Sequence, residues 1–195
     1  MAIDNGIAIS CADLQASGGI KQILLRSWES LDVVTYDDGA GKHSITEIHE
    51  VAPATTATWY SYEFKNETPA LTINATKENG STAFECGLSF TIPKMDNVKF
   101  HELQGILSEC MMAIAVDSNG TAFVIGASEK YKSIVSSRSQ TFANLSGMEG
   151  GTGAAYNDDN GITVTLMAKQ YELPRIYTGV ITFVAGGLTA TTVEL

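Results

Sequence analysis

The sequence predicts a mainly β protein: an antiparallel β-sandwich or barrel with one flanking α-helix over about 95–109. Three observations predict it. Short stretches in which apolar and polar residues alternate recur along the chain, the pattern of half-buried strands. Four Asn-Gly pairs, at Asn5-Gly6, Asn79-Gly80, Asn119-Gly120 and Asn160-Gly161, together with Asp38-Gly39, punctuate those stretches with the residues that two-residue hairpin turns favour. From Met95 to Cys110 the apolar spacing switches to three and four residues.

Taken in order, Ile20 to Trp28, Val33 to Tyr36, His43 to Val51 and Thr58 to Phe64 read as strands, followed by Ala70 to Thr76 and Thr82 to Thr91. The last of these puts Phe84, Cys86, Leu88 and Phe90 on one face and Ala83, Glu85, Gly87 and Ser89 on the other, so it covers a core on one side. The helix follows, with Met95, Val98, Leu103, Ile106, Leu107 and Cys110 as its apolar set. Pro93 and Asp96 stand where an early proline and an N-cap acceptor belong. Ala113 to Val116 and Thr121 to Gly126 flank Asp117-Ser118-Asn119-Gly120 and predict a hairpin. Gln140 to Ser146 leads into an irregular Gly150-Gly151-Thr152-Gly153 approach, a turn at Asn160-Gly161 and the alternating strand Ile162 to Ala168. Tyr177 to Val184 is the last strand. No repeat, low-complexity stretch or proline-rich linker divides the chain, so one domain over 1–195 is expected.

Composition sets the outer bounds. With 195 residues, 44% hydrophobic and 17% charged, the chain is too apolar for intrinsic disorder and long enough to build a core without disulfides or metal. Twelve basic residues face 22 acidic ones, a net charge of -10. The densest basic stretch, Lys130, Lys132 and Arg138, is too dilute to displace counterions from phosphates, so a DNA-binding domain is not expected. Cys11, Cys86 and Cys110 lie far apart without a C-x-x-C, and read as reduced thiols packed as small apolar side chains. The start, MAIDNGIAIS, lacks the basic region and apolar core of a secretory signal. The longest apolar run, Cys110 to Val116, is far below the ~18 residues of a membrane span and reads as a buried strand. A protein made in the cytoplasm, without membrane anchoring, is the expectation.

No constellation carries chemistry. Tyr156 to Gly161 has Asp158 and Asn160 but puts Tyr156 first and Met167 twelfth, where a calcium loop needs acids. Glu47 and His49 share a strand face while Glu50 points away, and no third ligand is near. His43 and His101 also lie at no ligand-like spacing. Gly150-Gly151-Thr152-Gly153 lacks the strand-to-helix setting and the Lys-Ser/Thr of a phosphate loop. No catalytic, cofactor-binding or metal-ligating residue is expected, nor an enzyme. What does stand out is the nearly uncharged character of Val51 to Thr58 and of Val184 to Val193. Such segments are sticky if left as bare edges, and strand pairing with a neighbouring chain would cover them; loops and a frayed terminus are the alternative.

Two stretches resemble the tail tube (major tail) proteins of tailed bacteriophages. Cys11 to Leu25, with Gly18-Gly19-Ile20-Lys21, is similar to the family's N-terminal Cys and its Gly-Gly-Ile-Lys entry into the first long strand. Gly147 to Pro174 is similar to its Gly/Thr-rich approach, D-x-N-G turn, alternating strand and trailing proline. Between them, helix, strand, Asp117-Ser118-Asn119-Gly120 turn and strand follow the family's order; the stretch 128–141 does not match it. The resemblance implies a structural virion protein. Its copies would form six-fold rings that stack into a tube around a DNA-conducting channel, with neighbouring tail proteins as further partners and DNA passing unbound. It also implies an N-terminal arm over about 1–19, a long loop or hairpin within 33–62 around Asp37-Asp38-Gly39, and a C-terminal extension over about 185–195, which reach neighbouring subunits. Alternatives are another virion protein, such as a tail terminator or head decoration protein, and a carbohydrate-binding β-sandwich using Trp59, Tyr60 and Tyr62.

Overall fold

The computed structural model describes residues 17–51, 56–130, 132, 141–155, 157–185 and 191–194. Among the described residues thirteen strands and one α-helix follow one another: β1 (Ile20–Ser27), β2 (Leu31–Asp37), β3 (Ser44–Glu50), β4 (Thr58–Tyr62), β5 (Ala70–Glu78), β6 (Ser81–Pro93), α1 (Asn97–Ile106), β7 (Met111–Asp117), β8 (Ala122–Ile125), β9 (Ala143–Gly151), β10 (Gly161–Gln170), β11 (Arg175–Tyr177), β12 (Val180–Ala185) and β13 (Thr191–Glu194). A 3₁₀ turn, Trp28–Ser30, joins β1 to β2. The fold is mainly β with one helix, as expected, and the strands form a curled mixed sheet, a half-barrel.

One run of strands has the order β13-β12-β4-β1-β7-β8-β11-β3-β2. A second, β5-β6-β10-β9, hangs from it through a single pair, Met111 of β7 with Ala143 of β9. Two pairings depart from the antiparallel expectation: β11 runs parallel to β3, and β12 parallel to β4. Parallel neighbours need long crossovers. Here the late strands return to sit beside early ones, a long-range choice that local patterning does not encode.

The curl creates two cores that share a wall. On one side Ile23 and Leu25 of β1 and Met111, Ala113 and Ala115 of β7 pack with Leu88, Phe90, Val164 and Leu166 from β6 and β10. On the other, Leu24 of β1 and Met112, Ile114 and Val116 of β7 pack with Leu31, Val34, Ile45, Ile48 and Trp59. Each fully buried large aliphatic or aromatic side chain contributes roughly 1.5–3 kcal/mol of transfer free energy. Burial on both faces is why the run after Cys110 is continuously apolar rather than alternating.

The turn signals resolve differently from one another. Asn79-Gly80 makes the two-residue hairpin between β5 and β6, with φ of 48° and 81°, as a type I′ turn demands. At Asp117-Ser118-Asn119-Gly120 the Asp117 amide donates to the Thr121 carbonyl across a three-residue loop, and Gly120 alone takes positive φ, at 91°. Asn160-Gly161, expected as a hairpin turn, is not one. Gly161 already pairs with Gly151 across a loop spanning 152–160, while the Asn160 carbonyl and side-chain Oδ1 accept from the Lys94 and Met95 amides. Its glycine serves close packing instead: a Cβ there would lie 2.8 Å from the Ile92 carbonyl oxygen. Asp38-Gly39 leads into a turn closed by Lys42 N–H to the Gly39 carbonyl, with Gly41 at φ 75°. Asn5-Gly6 lies outside the described residues.

Helix α1 is shorter than expected. Asp96 caps it, accepting from the Lys99 amide at 3.0 Å, whereas Pro93 is the last residue of β6. Leu103 and Ile106 are its buried residues; Val98 and Leu107, expected on the apolar face, are exposed along with Phe100. The helix lies over the core through one turn only. Residues 1–16 of the expected N-terminal arm, including Cys11, lie outside the described residues, as do 52–55, 186–190 and 195. Within 33–62 the chain forms most of β2, then β3 and β4, all contributing to the second core. Cys86 is buried, which pushes its thiol up to about 11, and Cys110 is half-buried; both are free thiols.

Candidate functional site

The feature best suited to a function is the four-stranded sheet β5-β6-β10-β9. It is antiparallel throughout. β6 and β10 pair over ten positions, from Gly161 with Pro93 to Gln170 with Phe84. Strict alternation turns Cys86, Leu88, Phe90, Ile162, Val164, Leu166 and Ala168 into the core. The opposite face carries Ser89, Thr91, Thr163, Thr165, Met167 and Lys169, with the Thr91 and Thr163 hydroxyls 2.9 Å apart. It is built largely of small residues; its charges include Glu149, opposite Thr163, and Lys169 in register with Glu85.

Both margins of this sheet are open among the described residues. Among the described residues β5 pairs with β6 alone, and β9 pairs with β10 and, at Ala143 only, with β7. The β5–β6 hairpin also outruns its neighbours. Pairing of β6 with β10 ends at Phe84, and beyond it Ser81–Ala83 and Thr76–Glu78 pair with each other alone. Along β5, Thr72 to Lys77 are exposed, Ile73 at 41%. At the other margin Gly150 faces Gly161 and Ile162 so closely that a Cβ would lie 2.8 Å from the Ile162 side chain.

The residues singled out from sequence do not converge on a reactive centre. His49 Nε2 lies 3.4 Å from Glu47 Oε2 on an exposed face, while Glu50 turns away to accept from the Thr58 amide at 2.9 Å and pair with Arg26 at 3.0 Å. In the 152–160 loop, Asp158 accepts from the Ala154 and Ala155 amides, which hold its carboxyl below the usual range, and Asp159 pairs with Lys65. Among the described residues no group of three acidic, cysteine or histidine side chains could hold a metal ion. His43 Nε2 lies 2.9 Å from the Leu173 carbonyl oxygen.

Nor do the three aromatics of β4 form one platform. Trp59 is 1% exposed in the second core. Tyr60 and Tyr62 do share a face and line a cleft of about 400 Å³ with Arg26, Glu102 and Glu109. But the Arg26 guanidinium lies over the Tyr60 ring at 5.2 Å, and Tyr62 packs edge-on against Phe90 at 6.4 Å. Burial, then the charges of Glu102 and Glu109, push the Tyr62 phenol up to about 12.

The uncharged segments flagged as sticky edges are partly accounted for. Val180–Ala185 runs beside β4, and Thr191–Glu194 beside it in turn, so the C-terminal segment extends the sheet. Sequence reasoning did not single out the margins at β5 and β9. The one signal there is compositional: Ala143–Gly151 holds three glycines and one charged residue, Glu149. Comparison with protein-family models, with curated proteins and with solved structures returns no match. Among the described residues no helix is long and apolar enough to cross a membrane.

Proposed function

We propose that this chain is a structural subunit that assembles with its own copies into rings, and that stacked rings form the tail tube of a phage virion, as its resemblance to tail tube proteins implies. The observation that carries this reading is the even, alternating sheet with two open margins. Its strands run in alternate directions, so β5 and β9 are antiparallel to each other. A copy related by rotation about a ring axis then brings its β5 antiparallel to the β9 of its neighbour, and the alternation continues without a break. Closure of the ring covers both margins of this four-stranded sheet, the liability that bare edge strands otherwise carry. Six copies at four strands each exceed the ~16–18 strands at which barrels already leave an aqueous channel.

The polar face of the sheet supports a lumenal role. A lumen lined with Thr, Ser and Gly, on a subunit of net charge -10, offers DNA phosphates few cations to pair with, so a genome slides rather than binds. Negative-stain electron microscopy with a light-scattering concentration series tests the reading. Rings or hollow tubes are expected; a strict monomer at every concentration overturns it. Rings that never stack favour a tail terminator instead.

A further inference from the structure

Arg175 opens β11, between β8 and β3, and it is 2% exposed. Its guanidinium is enclosed by three carboxylates from three chain segments. Nη1 donates to Asp38 Oδ1 at 2.6 Å, Nη2 to Glu129 Oε2 at 3.0 Å, and Nε and Nη2 to both oxygens of Glu172 at 3.0 and 3.1 Å. Its flat face lies over the Tyr36 ring at 4.9 Å. A second layer ties these partners together: the Glu129 amide donates to Glu172 Oε1 at 2.6 Å, and Lys132 bonds Glu129 Oε1 at 2.9 Å. Below it, Gln170 Nε2 donates to the Ala127 carbonyl at 2.6 Å.

The segments joined here have no strand pairing with one another at these positions. Asp38 stands in the β2–β3 turn, Glu129 in the chain leaving β8, and Glu172 two residues beyond β10. We propose that the Arg175 cluster is an ionic latch: while its carboxylates are charged it clamps the 38–42 turn and the 127–130 segment to the end of β10, and acid releases both without unfolding the cores.

The reason is the asymmetry of a buried ion group. Paired, the guanidinium is satisfied; with its partners neutral it is a buried charge short of counterions, and the segments holding those partners gain by swinging into water. The charged and titratable groups around it are Tyr36, Asp37 and Asp38 from β2 and its turn, Lys42 and His43 from that turn, Glu129, Lys130 and Lys132 after β8, and Glu172 after β10. Lys42 is engaged by Asp37 at 2.7 Å. The Asp38 carboxyl is held below its ordinary value by a hydrogen bond from Glu129, which exists only while Glu129 carries a proton, and then by the Arg175 guanidinium, the partner that holds Asp38 when all three carboxylates are charged. Burial pushes Glu172 up, but the bonds from Arg175 and the Glu129 amide outweigh it, and its net shift is downward. Carboxyls depressed in the folded state stabilise it above their unfolded values of about 3.9 and 4.3, and that contribution is lost as pH falls through the lower, folded values. Release therefore belongs below about pH 4.

Amide hydrogen exchange on the dilute full chain, expressed as protection relative to intrinsic rates, tests this without requiring assembly. From pH 7 to pH 3, protection at Lys42, Glu129 and Ile176 is expected to fall at least tenfold while Leu88 and Val164 keep theirs. The double variant Asp38→Asn with Glu172→Gln is expected to show the released pattern already at pH 7. Unchanged protection at the three latch amides overturns the proposal. So does a loss shared equally by Leu88 and Val164, and so does a double variant as protected as the parent.

Discussion

β7 and β10 are both well-packed strands, yet they are built differently. β7 is buried on both faces from Met111 to Val116, and its sequence is a continuous apolar run. β10 buries every second residue, from Ile162 to Gln170, and offers Thr163, Thr165, Met167 and Lys169 to the outside. The first serves as an internal wall; the second presents a surface. What separates them is the number of faces the rest of the chain covers.

Substitutions can break or sharpen that contrast. Ile114, fully buried in the wall, is expected to cost about 2–5 kcal/mol when changed to Ala, read as a fall in the denaturant midpoint. A loss below 1 kcal/mol would mean that β7 is not a two-sided wall. Gly161→Ala pushes a methyl group against the Ile92 carbonyl and is expected to cost about 1–3 kcal/mol, localised where β6, β9 and β10 meet. The smallest effect on folding is expected at the β5 margin. Asn74 and Ala75 are successive, so the N–H of one points into the ladder and that of the other points out. Proline at the outward position is expected to leave stability within about 0.5 kcal/mol and yet abolish ring formation; proline at the inward position weakens the hairpin itself. If neither substitution alters assembly, the β5 margin is not the joint.

Much of the fold was legible because its signals are local. The alternation of Thr82 to Phe90 and of Ile162 to Ala168 named two strands and their buried faces, and Asp96 marked the start of the helix. The failures are long-range. Asn160-Gly161 carries the residues of a tight turn, but its glycine is there because β6 passes within contact distance. Val98 and Leu107 have helical spacing, yet the helix meets the core through one turn. The open margins at β5 and β9 follow from which strands do not come back to cover them, and no residue within either strand announces that. Arg175, alone on an edge of the sequence pattern, finds its three carboxylates only after the chain has returned across 137 positions to Asp38.

The alternation along the shared wall has one more consequence. On β7 the small residues Ala113 and Ala115 face one core, and the large Met112 and Ile114 face the other. A slip of one residue would drive bulky groups into the space shaped for methyls and leave the opposite side hollow. Both cores would register the error at once. The strand therefore works as a key with differently cut sides, which fits its lock in one position.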